Sequence, residues 1–526
     1  MSTRNSPVQP YLTQSVHRRA RLSPDRWCLV TGERRSTNAE FADRVARLAG
    51  GLRGLGLEPG DRVAIVAPNS DRMVETFYAT LWAGAIAAPL NARWTADELG
   101  RALVDSGAAV LVVDPAFAGT VAGLRSAAPN IRHVVHLAGG PAPEGLTAVD
   151  DLAVDPVPDA GRSGDDPAYL LYTGGTTGQP KGVVVSHANL MTASVSMLAA
   201  GCGTGEVYLQ CPPLFHIAGI QVMTGHFLGA GGPQIVPPGF DPVAVLRLIQ
   251  EHRVTDVMLV PTMMQMVLGH PEREKYDLSS LQRIFYGAAP MTEALVARAM
   301  DAVPGCGFVQ GYGMTETALT IMLPPEFYTE EGRKRGKTSS IGRPLPLADV
   351  VIRDPDGREV PRGEVGELTV RSPSVMAGYW NRPEETAATI RDGWLYSGDG
   401  ARMDEEGFVH LVDRMKDMII TGGENVYSTE VENVLVLHPD VVSAAVIGLP
   451  HEQWGEQVHA VVVTREGATV DAGALIAHCR ERIADYKCPR SVEFRSALPI
   501  SAAGKILKVA LRAEIGAGLG VDLTAP

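Results

Sequence analysis

The sequence predicts an α/β fold: helices covering mostly parallel sheets over a large N-terminal part, followed by a small α+β domain. Three observations carry the prediction. Short apolar runs of β type alternate with helical patterns through most of the chain, the signature of parallel sheets between helices. At 526 residues the chain is too long for one ordinary core. The pattern then changes after about Arg414, where helix, two strands, helix and strand follow within roughly a hundred residues, a normal domain size.

In chain order, Arg62–Ala67 reads as a buried strand and Asp71–Gly84 as the helix after it. Ala85–Pro89 is a second short strand. Thr95 with Glu98 forms a capping-box pattern for a helix through Val104. Ala109–Val113 is another strand, and Tyr169–Tyr172 leads into a glycine-rich loop. Asp241 caps a helix that has Pro242 at its first position, and Asp256–Val260 is the next strand. Ala138–Pro167, rich in Ala, Pro, Gly and Asp, reads as surface connection. Glu326–Lys337, with four cations close together, reads as a solvated loop. In the last part, Glu430–Leu437 and Ala472–Ala484 read as helices, and Ser443–Ile447, Val458–Val463 and Val492–Phe494 as strands.

Charge narrows the partners. Lys and Arg number 47 against 60 Asp and Glu, a formal net charge of -13. An acidic chain has no general attraction for nucleic acid, so an anionic ligand needs a local site. No stretch has the apolar length to span a bilayer, and the polar start, Met1–Gln14, shows no secretory-signal pattern. Six scattered cysteines form no Cys-x-x-Cys pair. They suggest neither a zinc site nor a disulfide framework, and a reducing cytoplasm fits them. A homodimer is one state the sequence allows.

The chemistry begins at Tyr172-Thr-Gly-Gly-Thr-Thr-Gly-Gln-Pro-Lys-Gly182. Gly174, Gly175 and Gly178 let the backbone approach a ligand closely. Thr173, Thr176 and Thr177 add hydroxyls and Lys181 a positive charge, so the segment is built to surround a polyphosphate. It is not a Walker loop, because Lys181 precedes Gly182 where Ser or Thr is needed. The glycine spacing also fails the Rossmann fingerprint.

This segment resembles the signature Y-T-S-G-T-T-G-x-P-K-G of the adenylate-forming (AMP-binding) superfamily, which includes acyl-CoA synthetases, peptide-synthetase adenylation domains and firefly luciferases. Gly174 stands where the pattern has Ser, which removes one hydroxyl and keeps the backbone donors. The resemblance spans nearly the whole chain. It implies a large N-terminal domain with a small barrel-like part and a small mobile C-terminal domain. Residues 1–412 would form the AMP-binding domain, 413–417 the hinge and 418–526 the C-terminal domain. Pro213-Leu-Phe-His-Ile-Ala-Gly219 is similar to a segment beside the acid pocket, which singles out His216. Tyr286-Gly-Ala-Ala-Pro290 is similar to the adenine-binding turn, with Gly287 and Ala288 against the base. Gly311-Tyr-Gly-Met-Thr-Glu-Thr317 is similar to the Y-G-x-T-E core: Gly311 and Gly313 flank Tyr312, which stacks on adenine, Thr315 donates to the α-phosphate and Glu316 holds magnesium. Trp394–Asp399 ends in the family's Gly-Asp, implying that Asp399 accepts from the ribose hydroxyls.

Asp413-Arg-Met-Lys-Asp417 resembles the hinge, with Asp413 in place of Gly, Arg414 near ribose or phosphate and Lys416 as pivot. Thr421–Asn425 resembles the loop along the pantetheine tunnel, implying roles for Gly422, Gly423 and Glu424. Pro499–Lys505 resembles the catalytic lysine loop, with Ile500 and Ala503 as departures and Lys505 kept.

The resemblance therefore implies an acyl-CoA synthetase of the fatty-acid–CoA ligase branch using ATP, Mg2+ and coenzyme A. Pro212–Gly219 holds no acid to pair with an α-amino group, so a hydrophobic acid is favoured: fatty, aryl or bulky polycyclic. Met258, Met263, Met264 and Met266 form either an adaptable acyl-pocket wall or ordinary core. Arg93 is a further candidate for the CoA nucleotide. Loading of a carrier protein, a luciferase-like oxygenase and a catalytically dead nucleotide-binding module stand as alternatives.

Overall fold

In a computed structural model, residues 9–137, 140–173, 180–229, 232–289, 291, 293–500 and 506–519 are described. The chain divides into two compact units. The first comprises Met1–Thr338, Gly342–Asp349 and Val370–Leu395; the second comprises Ser339–Ile341, Val350–Thr369 and Tyr396–Pro526.

The first unit holds two mixed sheets. Among the described residues, one runs from edge to edge through Gly378–Tyr379, Lys181–Ser186, Pro167–Thr173, Ile86–Pro89, Arg62–Val66, Val110–Val113, His133–His136 and Thr147–Ala148. From Pro167–Thr173 onward its pairings are parallel. The glycine-rich loop instead joins two antiparallel strands, in register Thr173 to Lys181. The other sheet has a parallel centre, Trp27–Thr31, Gln234–Ile235, Tyr208–Leu209, Asp256–Met258, Arg283–Gly287 and Gly307–Met314. Ala318–Leu323 then turns back antiparallel.

Central strands such as Arg62–Val66 and Val110–Val113 are buried on both faces, as helix-covered parallel strands must be. The helices start where local chemistry dictates. Thr95 and Glu98 make the reciprocal capping box, and Asp241 accepts from Ala244 ahead of Pro242.

The second unit carries most of one further sheet and all of another. One pairs Asp349–Arg353, Gly366–Arg371, Trp394–Met403 and Val409–Arg414. The other contains the long antiparallel pair Val441–His451 and Gly455–Thr464, with Ser491–Phe494 parallel to the latter. Its core is Ile419, Val431, Leu435, Val446, Val458, Leu475 and Cys479, closed by the helices Ser428–Leu435 and Ala472–Arg480.

Three expectations are corrected. Glu326–Lys337 is not a plain solvated loop: Thr329 accepts from Gly332 and starts the short helix Glu330–Lys334, and Lys337 is only 4% exposed. Ala138–Pro167 is not all surface. It contributes the strand Thr147–Ala148 and the buried Val149 and Leu152, because Gly51 leaves room for the Leu152 backbone. The four methionines are not all core: Met258 and Met264 are buried, whereas Met266 is 51% exposed on its helix.

Candidate active site

In the first unit the candidate residues collect where strands end and reverse. Gly287 pairs with Gly311, and a Cβ on Gly287 would lie 2.2 Å from the Gly311 carbonyl oxygen. Gly287 is therefore required by close strand approach, before any ligand is considered, whereas a Cβ on Gly311 would meet the Leu319 side chain. Ala288, just past the strand, adopts φ 64°, a left-handed conformation uncommon outside glycine.

Across the next reversal, a Cβ on Gly313 would sit 1.9 Å from the Ala318 carbonyl. The turn that bears Thr315 and Glu316 is thus drawn tight. Thr317 Oγ1 accepts from Met314 N at 3.1 Å and donates to the Ala318 carbonyl at 2.9 Å. Tyr312 is buried and Thr315 half-buried. Glu316 is 8% exposed, and its main-chain carbonyl accepts from Met376 N at 2.8 Å.

The segment that grips Glu316 continues into the strand Gly378–Tyr379, antiparallel to Lys181–Ser186. Tyr379 Oη donates to Glu316 Oε1 at 3.0 Å. The Lys181 ammonium stands 5.5 Å from the Tyr379 ring centroid and pairs with Glu385. The Lys181 hydrogen bond holds the Glu385 carboxyl below its ordinary range, whereas burial and then the Glu316 charge push the Tyr379 phenol up. One site thus joins Lys181, Tyr379 and Glu316. Thr173 ends the strand beside Lys181. Gly174, Gly175, Thr176, Thr177 and Gly178 lie outside the described residues.

His216 occupies the turn before the helix Ile217–Gly229. Asn69 builds that turn, accepting from Leu214 N at 2.8 Å and donating to the Pro212 carbonyl at 2.9 Å. Gln221, one turn along the same helix, accepts from Leu319 N at 2.8 Å and ties the helix to the strand after Glu316. Ala218, Val222, Met258, Phe285 and Val309 belong to one apolar cluster. Arg93 sits in a turn where its N–H donates to Asn91.

In the second unit, Asp399 and Arg414 are register partners on neighbouring strands and form an ion pair of 2.7 Å. Asp399 is 6% exposed, and Ser397 fixes its strand by donating to the Leu368 carbonyl at 2.6 Å. Gly422 and Gly423 have φ 60° and 85° in the two-residue turn between Ile419–Thr421 and Glu424–Val426. That is the left-handed pair a tight hairpin needs, so the turn itself requires both glycines. Gly422 N donates to the Trp454 carbonyl; the Trp454 ring stacks on the His451 ring and has the Arg490 guanidinium 5.3 Å from its centroid. Asp413 is buried. Its carboxylate accepts from Ser428 N at 2.5 Å and from Ser428 Oγ at 2.6 Å. Arg512 pairs with Asp417 at 2.7 Å, and Lys508 with the half-buried Glu432 at 2.7 Å. Lys416 belongs to the single turn Met415–Asp417, and its side chain is outside the described residues. Lys505 also lies outside them; Ile500 and Ile506 pair as a bridge across the ends of its segment.

Tyr379, Glu385 and Asn69 were missed by sequence reasoning. Each lies far from the glycine-rich motifs in the chain, and only the pairing of Gly378–Tyr379 with Lys181–Ser186 brings the first two to Lys181. The nearest signal was a tyrosine and a glutamate downstream in Gly378–Glu385, which periodicity does not single out.

Residues 16–380 match the family described as AMP-binding enzyme, and residues 430–505 match the AMP-binding enzyme C-terminal domain. A feruloyl-CoA synthase from Amycolatopsis sp is 45% identical over 500 residues, covering 95% of this chain and 98% of that protein. A fatty acid–[acyl-carrier-protein] ligase, ScoC, from Streptomyces coeruleorubidus is 34% identical, covering 97% and 98%. The solved amide bond synthetase McbA from Marinactinospora thermotolerans superposes with a TM-score of 0.86 at 33% identity, covering 96% and 99%. These three relatives differ by name in the acyl acceptor. The chain belongs to the AMP-binding enzyme family, the adenylate-forming superfamily of ATP-dependent acid ligases.

Proposed function

We propose that the chain activates an aryl-substituted propenoic acid, of the hydroxycinnamic type, as its acyl adenylate and passes the acyl group to CoA. One observation supports this class most strongly: 45% identity, along nearly the full length of both chains, with a protein named feruloyl-CoA synthase. The segment Pro212–Gly219 contains no carboxylate that would pair with a substrate amine, in line with a hydrophobic acid.

The reaction joins two anions, so the protein must position them and neutralise charge. The acid carboxylate attacks the α-phosphorus of ATP and pyrophosphate leaves; a thiol then attacks the mixed anhydride and AMP leaves. Lys181, with Thr173, Thr176 and Thr177 and the backbone of Gly174, Gly175 and Gly178, is assigned to the phosphates. Thr315 is assigned to the α-phosphate. Tyr312, Gly287, Ala288, Gly311 and Gly313 are assigned to adenine, and Asp399 and Arg414 to the ribose side. Lys505 is assigned to the attacking carboxylate and the α-phosphate.

Glu316 offers one hard carboxylate, and no group of three or more His, Cys, Asp or Glu among the described residues forms a dedicated metal cage. A single carboxylate fits magnesium, which is commonly held by one or two carboxylates together with substrate phosphates. When bound, that ion supplies positive charge to the polyphosphate. For the second step, residues 413–417 act as a hinge between domains 1–412 and 418–526, with Lys416 as pivot, and Gly422–Glu424 line the thiol path. His216 borders the acid. Six unpaired cysteines support a cytoplasmic home, and a homodimer is tested by light scattering.

Incubation with ATP, CoA and a panel of aryl, fatty and polycyclic acids tests the reading by mass detection of thioester. Ferulate-type acids are expected to lead the panel by at least about tenfold in kcat/KM, a discrimination of roughly 1.4 kcal/mol. A fatty or polycyclic acid at the head would refute the assigned class. The 34% identity with a carrier-protein ligase supports a second reading, in which holo carrier protein replaces CoA. Comparing the two acceptors directly separates them.

A further inference from the structure

Two residues assigned to nucleotide and metal, Lys181 and Glu316, are far apart in sequence, and a single side chain touches both. Tyr379 places its ring under the Lys181 ammonium and its hydroxyl on Glu316 Oε1. Its backbone leaves it little freedom. Ala377 N donates to the Val184 carbonyl at 3.0 Å and Trp380 N to the Gly182 carbonyl at 2.7 Å, so Tyr379 is pinned on either side to the strand that begins at Lys181. Tyr379 N donates to Thr386 Oγ1 at 2.9 Å, and Thr386 Oγ1 in turn donates to the Arg382 carbonyl at 2.8 Å. Gly378, at φ 147°, has no room for a side chain, because a Cβ would lie 2.9 Å from Thr386 Cγ2. The segment also holds the Glu316 main chain through Met376 N.

We propose that Tyr379 is the positioning residue of the adenylating site, setting the orientation of the Glu316 carboxylate through its hydroxyl and the location of Lys181 through its ring. The proposal rests on the reading of Glu316 as the magnesium-side carboxylate. A buried carboxylate without a donor is costly and free to rotate. The phenol meets one of its oxygens, Oε1, and so fixes the carboxylate. The ring face attracts the ammonium, which keeps Lys181 near the strand without using an N–H donor that phosphate would accept from.

The test uses the full chain and three variants: Tyr379→Phe, Glu316→Gln and the double variant. Tyr379→Phe keeps the ring and removes only the hydroxyl. Acid-dependent ATP–pyrophosphate exchange is expected to fall about tenfold in kcat/KM for ATP, the effect of one charge-assisted hydrogen bond. Mn2+ binding in the presence of a non-hydrolysable ATP analogue, followed by electron paramagnetic resonance, is expected to weaken by a similar factor. In the Glu316→Gln background, Tyr379→Phe should add less than about twofold, since coupled residues are not additive. Wild-type exchange and Mn2+ affinity in Tyr379→Phe overturn the proposal, as does an equal loss in both backgrounds. Wild-type exchange in Glu316→Gln would instead overturn the reading of Glu316.

Discussion

Lys181 and Asp413 are both charged residues in motif segments, and the structure treats them in opposite ways. The partner of Lys181 is Glu385, 37% exposed, on the short helix Pro383–Thr389. The partners of Asp413 include the backbone N–H and hydroxyl of Ser428, both buried at the start of the helix Ser428–Leu435, and the backbone N–H of Arg414 at 2.7 Å. An exposed ion pair is worth at most about 1 kcal/mol and exchanges readily for a phosphate. A buried carboxylate at a helix N-terminus satisfies orphan donors and does not exchange cheaply. The contrast separates groups kept available for a ligand from groups that fasten the chain. The departure from the family pattern at Asp413, where the hinge motif has Gly, then reads as an anchor.

The predictions probe that contrast from its strongest consequence downward. Lys505→Ala should lower adenylation by about two to three orders of magnitude, as when a key electrostatic donor is lost. Thioester formation from supplied acyl adenylate should suffer much less, and single-turnover assays of each half-reaction check this. The next effect is on the frame of the first unit. Burial lowers His187 to about 4 and His226 to about 3 from the usual 6.5. His187 Nδ1 accepts from Leu12 N and His226 Nε2 meets the Gly205 carbonyl, so each ring is neutral. Below pH 6.5 the unfolded chain binds protons that these folded rings refuse. Stability is therefore full above pH 6.5 and falls toward pH 4, on the order of 3 kcal/mol for each ring. Denaturant titrations across that range should show the loss, and His187→Gln should flatten part of it.

Asp413→Ala should destabilise the second unit by about 2 kcal/mol, the cost of an unmet buried helix start. It should leave ATP affinity untouched, as calorimetry would show. Glu385→Gln has the smallest expected effect and the opposite sign. Pyrophosphate and ATP should bind about two- to fivefold more tightly once the competing carboxylate is neutral, while AMP binding should not change. If Glu385→Gln destabilises the fold and Asp413→Ala alters nucleotide affinity, the contrast is reversed.

Much of this was legible in the sequence, for physical reasons that differ by region. The capping box of Thr95 and Glu98 and the Asp241-Pro242 start are local, and the structure keeps both. Thr37 with Glu40 makes a further reciprocal cap that the same rule would have found, whereas Ser186 with Asn189 makes one outside its Glu/Gln pattern. The strand Val441–His451 was read only as Ser443–Ile447, because its ends are held by a long partner strand and not by their own apolar pattern. Gly287, Gly422 and Gly423 stand out by type. Their contacts give them structural duties, close strand approach and a hairpin turn, that motif reading assigned to a ligand. Tyr379 was illegible because a two-residue strand carries no period, and its importance arises from pairing across nearly two hundred residues of chain.

The account stands or falls on acid-dependent ATP–pyrophosphate exchange. With ferulate, ATP and magnesium, the wild-type protein should exchange label without CoA, Lys505→Ala should nearly abolish the exchange, and added CoA should divert the adenylate to feruloyl-CoA with release of AMP. Absence of exchange with every acid of the panel, or exchange at the wild-type rate in Lys505→Ala, would contradict it.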